Sequence, residues 1–372
     1  MKILYVTTVV STMDFFVEHI KMLQELGHCV EMATNINMQI SNDVGKLNCK
    51  IHNIGFSRNP FSLDNIKSLK QFSNLIETGS YDIIHTHTPN ASTIVRLVCK
   101  KWRKFGLRVI YTSHGFHFYK GAPIKNWLLY YPVEWICAHW TDVLITINKE
   151  DYFLAKRKMN TKIIKYIPGI GINLENIKKI AIDKKEKRKE LGLSNKDIVF
   201  LSVGELNENK NHISVIKALG ELKKEREIKY IKYLICGQGN KKLDLINAIE
   251  EYDLKDSVKL LGFRQDVLEI YQIIDFFVFP SFREGLSVSM MEAMANGVPI
   301  ICSKIRGNED LVDEKGGMLF NPYDIKNIKD TIFNMIGLDV VKLDDMKIHN
   351  IEKVKQFSNK YVLNILKKIY EV

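Results

Sequence analysis

Apolar residues along this chain fall into short unbroken runs separated by stretches of helical period. In the first half the runs are KILYVTT (2–8), HCVEMAT (28–34), YDIIHTH (81–87), RVIYTSH (108–114), DVLITIN (142–148) and KIIKYIP (162–168). Unbroken runs of this length fit strands of a parallel sheet covered on both faces, not strands with one wet face. The intervening patterns predict helices at 14–26, 63–78, 91–105, 125–138 and 149–158. The rhythm breaks where Pro168, Gly169 and Gly171 precede a charged run, which places a linker near 168–180 and makes Lys184 to Glu190 a solvated helix face. It then restarts with strands DIVFLSVG (197–204), IKYLICG (231–237), SVKLLGF (257–263), DFFVFPS (275–281) and VPIICS (298–303). Helices are predicted near 210–226, 240–252, 287–296 and 324–337. Strands alternating with helices imply right-handed βαβ crossovers and doubly wound sheets. Two such series predict two similar α/β domains in tandem. Ligands of open α/β sheets bind beyond the carboxyl ends of the strands, so the site is expected in a cleft between two facing domains.

Composition sharpens this picture. The 372 residues, 46% of them hydrophobic, suit two domains of ordinary size and exclude a disordered chain. The net charge of +11 is uneven. Residues 1–180 hold 23 basic and 13 acidic side chains, a net +10, while the remainder hold 31 and 30, a net +1. The first half is therefore expected to meet the anionic partner: nucleic acid, a membrane surface or a phosphorylated substrate. No nucleic-acid motif supports the first of these. The six cysteines show no zinc or redox spacing and most fall in apolar runs, as buried free thiols do, which predicts a reducing, cytoplasmic compartment. There is no run of 18 apolar residues, so membrane contact is expected to be peripheral. The apolar N-terminus is read as a buried strand and not a signal peptide, because Asp14 and Glu18 follow closely and no small-residue cleavage site appears.

The densest chemistry lies at 278–299, VFPSFREGLSVSMMEAMANGVP. A strand ends at Pro280, a loop carries Arg283, Glu284 and Gly285, and a helix capped by Ser287 contains Glu292. Free amides around Leu286, Ser287 and Val288 at the positive end of a helix dipole suit a diphosphate. Glu284 precedes that end, where sugar hydroxyls could meet it, and a carboxylate at Glu292 can accept two ribose hydroxyls. Both could also be surface acids of an ordinary helix. Upstream, FLSVGELNENKNH puts Lys210 in a strand-to-helix loop, placed as a point charge for phosphate. The turn Gly262-Phe263-Arg264 ends another strand. In the first half, His114 stands at a strand end with His117 nearby, and His85 and His87 form a second pair. Paired histidines suggest metal, but no third ligand stands at metal spacing, so none is expected. The first turn lacks GxGxxG, which argues against a dehydrogenase.

The Glu284/Glu292 spacing and its surroundings resemble the retaining glycosyltransferases of family 4. That resemblance covers essentially the whole chain. It implies the GT-B fold: two facing Rossmann-like doubly wound parallel-sheet domains, here 1–170 and 171–357, with the helix at 358–372 packing back on the first. It implies that Glu284 lies by the transferred sugar, Glu292 binds the ribose, Lys210 meets the diphosphate, and His114 touches the donor sugar. The turn at Gly262, Phe263 and Arg264 would hold the base. Where the family commonly has Arg before its Lys, Glu205 stands here, and Arg283 is the candidate substitute. SHGFHFYKGAP, NWLLYYPVEW and ITINKEDY resemble a subgroup acting in capsular, exopolysaccharide and O-antigen assembly on undecaprenyl-diphosphate-linked saccharides. The expected activity is metal-independent transfer of a hexose or N-acetylhexosamine from a nucleotide sugar, most simply UDP-linked, with no cofactor. Expected partners are that donor, the lipid-linked acceptor and the anionic inner membrane face. A GT-B epimerase or phosphorylase, or a non-catalytic sugar-nucleotide-binding partner, are the rival readings. RLVCKKWRKFGLR, with Arg96, Lys100, Lys101, Trp102, Arg103 and Lys104, is the expected membrane- or acceptor-facing helix. KNWLLYYPVEWICAHW is either a second such stretch or core.

Overall fold

The computed structural model describes residues 1–371 and divides into two compact units. The first comprises Met1–Gly171 and the C-terminal segment from Asn359, the second Ile172–Ser358. The first unit holds strands β1 (Lys2–Val9), β2 (Cys29–Asn35), β3 (Ile51–Asn53), β4 (Ile83–Thr86), β5 (Arg108–Ser113), β6 (Val143–Thr146) and β7 (Ile163–Tyr166). They form one parallel sheet in the order β3-β2-β1-β4-β5-β6-β7. The second unit holds β8 (Ile198–Val203), β9 (Ile231–Cys236), β10 (Val258–Gly262), β11 (Phe276–Phe279), β12 (Ile300–Ser303) and β13 (Gly317–Phe320). Its parallel order is β10-β9-β8-β11-β12-β13. Strand order reverses between β1 and β4 and between β8 and β11, the switch points where ligands of such sheets bind. Helices cover both faces, which explains the unbroken apolar strands: Ile3 to Val6, Phe200 to Leu201 and Phe276 to Phe279 are all buried.

Several predicted elements change on the chain. The helix expected at 14–26 opens as a 3-10 segment, Val10–Phe16, and becomes α-helical only at Val17–Glu25. The helix expected at 91–105 stops at Cys99. A separate 3-10 turn, Trp102–Phe105, follows, closed by Gly106 at φ +95°. The helix Lys184–Glu190 is not wholly solvated. Lys187 is buried among Glu190, Asp266 and Glu269, with contacts of 2.5–3.0 Å, because a ring of carboxylates replaces its water. Among the described residues no helix is long and apolar enough to cross a membrane.

The C-terminal helix, Asn359–Glu371, buries Val362, Leu366, Ile369 and Tyr370, one apolar stripe at helical spacing. Tyr370 meets His85 Nδ1 through its hydroxyl, and Arg108 Nη2 donates to the Ile369 carbonyl at 2.7 Å. Both partners belong to the sheet of the first unit, so this helix closes that unit.

Candidate active site

In the second unit the chemistry gathers beyond the ends of β8 and β11. After β11 the chain turns through Pro280–Gly285 and enters the helix Val288–Ala295. Ser287 caps it: its backbone is extended and its Oγ accepts from the Met290 amide at 3.3 Å. The preceding amides of this first turn have no helical carbonyl to donate to, which suits the helix start to an anion. Two neighbours hold the loop. Asn209 Nδ2 donates to the Arg283 carbonyl at 2.9 Å, and the Phe282 amide donates to the Asn209 carbonyl at 2.8 Å. On another side Gly307, at φ +78°, packs so close that a Cβ there would lie 2.1 Å from the Gly285 oxygen.

Within this frame Lys210 Nζ donates to Glu284 Oε1 at 2.8 Å and sits 4.6 Å from the centre of the Phe279 ring. Both members of the ion pair are largely shielded, with side-chain exposures of 20% and 14%. The charge expected to meet phosphate is therefore already neutralised by the carboxylate expected to meet sugar. Arg283 makes no ion pair among the described residues and stays partly exposed beside the helix start. Glu205 is exposed and accepts from Asn207 Nδ2 at 2.9 Å, and among the described residues it makes no ion pair with Lys210.

Glu292 lies one helical turn deeper. Burial pushes its carboxyl up to about 7, against a Tyr271 hydroxyl that donates to it at 3.3 Å. Tyr271 also donates to the Ser289 carbonyl at 2.9 Å, so that hydrogen bond is divided and compensates weakly. At the end of β10, Gly262 takes φ +71°, and its carbonyl accepts from the Gly237 amide at 2.8 Å. Phe263 is 69% exposed and free to stack. The Arg264 side chain is committed elsewhere. It grips Asp266 through Nε and Nη2 at 2.7 and 2.5 Å and Glu190 at 2.7 Å, and this grip holds Asp266 down at about 2. Arg264 thus offers its backbone, not its guanidinium, to a ligand.

In the first unit, His114 follows β5, and its Nε2 lies 3.3 Å from His87 Nδ1. Burial pushes His114 down to about 4, and His19 adds to the shift. His87 is driven well below its ordinary value by burial and by the neighbouring imidazoles. Both rings are neutral at pH 7. His87 Nε2 has no partner, and an orphaned N–H is rarer than an orphaned lone pair. The His87 proton is accordingly assigned to Nδ1, donating to His114 Nε2, which leaves His114 its own proton on Nδ1. His85 is structural: Thr112 Oγ1 and the Tyr370 hydroxyl satisfy both its nitrogens. His117 stacks on Tyr130 at 4.6 Å.

The basic stretch is corrected most. Arg96 is not membrane-facing but fully buried, with Nη1 2.8 Å from Glu134 Oε2 and its guanidinium over the Tyr111 ring. Arg103 spans to Asp142 by two bonds of 2.7 and 3.0 Å and to the His139 carbonyl. Trp102 packs against the core of the first unit. Lys100, Lys101 and Lys104 stay exposed, Lys101 pairing with Glu77. A run of like charges cannot disclose which of its members has a partner far along the chain.

Residues 183–352 match the family described as glycosyl transferases group 1, and residues 2–148 match glycosyl transferase 4-like. EpsD of Bacillus subtilis (strain 168), named as a glycosyltransferase, is 36% identical over 324 residues, covering 86% of this chain and 83% of that one. The chain belongs to glycosyltransferase family 4. This family 4 glycosyltransferase is also 32% identical over 323 residues to an Escherichia coli protein, covering 85% and 80% of the two chains. That relative is named UDP-Gal:alpha-D-GlcNAc-diphosphoundecaprenol alpha-1,3-galactosyltransferase. Among solved structures, HepE of Anabaena, in complex with UDP and glucose, matches with a TM-score of 0.82 at 17% identity, over 100% of each chain. Sucrose-phosphate synthase of Thermosynechococcus elongatus matches at 0.80 and 18% identity, over 100% and 98%. The fold of the transferase is GT-B, as its sequence implies.

Two supports of the loop and helix in the second unit carry no signal in one sequence: Asn209 braces the loop 74 residues ahead, and Tyr271 shares its hydroxyl with Glu292. In the first unit His87, visible in the sequence only as half of a histidine pair, proves to be the hydrogen-bond partner of His114.

Proposed function

We propose that this enzyme transfers a hexose or N-acetylhexosamine from a UDP-linked donor to a polyprenyl-diphosphate-linked saccharide in cell-surface polysaccharide synthesis, with retention at the anomeric carbon. The observation that carries this reading is the Lys210–Glu284 pair at the mouth of a capped helix with Glu292 inside it. The names of the EpsD and diphosphoundecaprenol relatives support the transfer reaction and the acceptor class. The UDP complex of the HepE neighbour is consistent with the donor.

In this reading the diphosphate occupies the helix start and draws Lys210 from Glu284, with Arg283 as the second cation. Glu292, ionised, accepts the two ribose hydroxyls, and Phe263 stacks on the base. His114 offers a neutral N–H to the transferred sugar. The acceptor oxygen bonds to the anomeric carbon as the carbon–oxygen bond to the diphosphate breaks on the same face. The acceptor proton passes to the departing phosphate oxygen. Backbone amides and cations stabilise the leaving charge without a metal. The enzyme acts at the inner membrane face as a peripheral protein, consistent with the basic excess of residues 1–180.

A donor panel tests the chemistry. UDP release should require both a UDP-sugar and a polyprenyl-diphosphate saccharide, and an α-linked donor should give an α-linked product by NMR. A β-linked product overturns retention. Activity should also survive dialysis against EDTA, and a loss restored by magnesium or manganese would show that the leaving group needs a metal after all.

A further inference from the structure

A cavity of about 470 Å³ opens in the first unit beyond β4 and β5. Two of its walls directly follow the paired histidines: Pro89 and Asn90 come after His87, and Gly115 to Phe118 after His114. The third wall is the helix Ile124–Ala138, through Leu129 and Val133, and Phe61 stands at the rim. The size is that of small-molecule sites, ~300–1,000 Å³.

This helix is apolar on both sides. Its inner side packs Trp127, Tyr130 and Tyr131 near Phe116 and Phe118. Its outer side leaves Ile124, Leu128, Leu129, Val133, Trp135 and Ile136 between 42% and 77% exposed, with Lys125 as the single charge. A patch of this kind marks a surface that is covered in function. The one acid at the cavity, Glu134, is already neutralised by buried Arg96. Exposed cations stand in the framing segments: Arg58, Lys120 and Lys125, none in an ion pair among the described residues. Asn90 Nδ2 donates to the carbonyls of Ser57 and Arg58 at 3.1 and 2.6 Å and so ties their backbone to a cavity-lining residue. The Lys120 amide donates to Glu150 at 2.9 Å.

An apolar recess with exposed cations in the segments that frame it, two of which run on from His87 and His114, complements a molecule with an apolar chain, an anionic junction and a polar head. We propose that the recess and the outer face of this helix hold the proximal isoprene units of the lipid-linked acceptor. Its diphosphate then lies among Arg58, Lys120 and Lys125, and its saccharide points toward His114. The inference rests on the polyprenyl-diphosphate acceptor proposed above. A flat bilayer would cover the outer face but leave the recess unfilled, whereas a chain drawn from the bilayer fills both.

The test uses the full chain, without vesicles, and calorimetry with farnesyl diphosphate and isopentenyl diphosphate. The longer chain should bind at least tenfold tighter, since each added buried methylene favours it. Leu129→Asp and Val133→Asp, both at exposed positions, should remove that preference while UDP affinity and melting temperature stay unchanged. Equal binding of the two diphosphates overturns the proposal. So does a farnesyl preference that survives both substitutions, or substitutions that abolish only co-sedimentation with anionic vesicles, which would make the face a membrane-docking surface. If farnesyl diphosphate binds as expected but no polyprenyl-diphosphate saccharide is ever glycosylated, the recess stands and the proposed acceptor falls.

Discussion

Replacing Glu292 by Gln is expected to weaken UDP binding about tenfold or more and, at pH 8, to stabilise the unliganded enzyme. Charge-assisted hydrogen bonds contribute roughly 1.5–3 kcal/mol, and a neutral amide cannot accept two ribose hydroxyls as a carboxylate does. The stability effect has the opposite sign. Burial raises this carboxyl from 4.5 to about 7 in the folded state, so folding favours its protonated form. That contribution is fully present below pH 4.5 and is lost as the pH rises through 7, where the fold must bury a charge. Gln never carries the charge. The gain should be about 1–3 kcal/mol at pH 8, since a tenfold change in proton affinity corresponds to about 1.4 kcal/mol, and it should vanish in acid. Wild-type affinity for UDP should rise with pH through 7, while that of the Gln variant stays flat. Calorimetry and thermal melts at pH 5 and pH 8 read all of these. Unchanged UDP binding in the variant would remove Glu292 from the ribose.

The second large effect concerns the ion pair. Glu284→Gln should lower turnover about 100-fold or more yet leave UDP binding intact or severalfold tighter, because Lys210 no longer has to leave a carboxylate to meet the diphosphate. Lys210→Met should do the reverse for affinity. It removes the cation and leaves Glu284 shielded and unpaired, which weakens UDP binding by roughly one to two orders of magnitude and also destabilises the fold. Adding Glu284→Gln to Lys210→Met should recover stability but not transfer, since the buried charge is gone while both functional groups are missing. Parallel melts and single-turnover assays on the three variants separate these effects. Should Glu284→Gln weaken UDP binding as much as Lys210→Met, the carboxylate would be a diphosphate-site organiser and not a sugar contact.

Fold and site differ in how far one sequence discloses them. Interior strands such as β1, β8 and β11 are unbroken apolar runs because both faces are covered, and the helices between them keep their period. The edge strands β3 and β13 escape notice because they are only three and four residues long, IHN and GMLF, and are partly exposed. Glu284, Ser287 and Glu292 are legible because their roles depend on local spacing along one loop and helix. Arg96 and Lys187 are misread for the complementary reason. The partner of Arg96 lies 38 residues away and Asp266 lies 79 from Lys187, so that local sequence offers Lys187 only Glu190 and cannot show that it is enclosed by carboxylates. The same holds for Lys210: its loop position is visible in the sequence, its neutralising partner is not.

The helix that carries Tyr370 also sets an order of events during synthesis. The first unit is built from two separated pieces of chain, Met1–Gly171 and the segment from Asn359. At ~5–20 residues per second, residues 172–358 take on the order of ten seconds or more to emerge between them. Throughout that interval the nascent first unit lacks the partner of His85 Nδ1 and the apolar stripe of Val362, Leu366 and Ile369. The second unit, contiguous in sequence, can complete its fold before the first. A ribosome stalled ahead of residue 359 therefore displays a finished second unit and an uncapped first unit, a species that chaperones and proteases would recognise by its open seam.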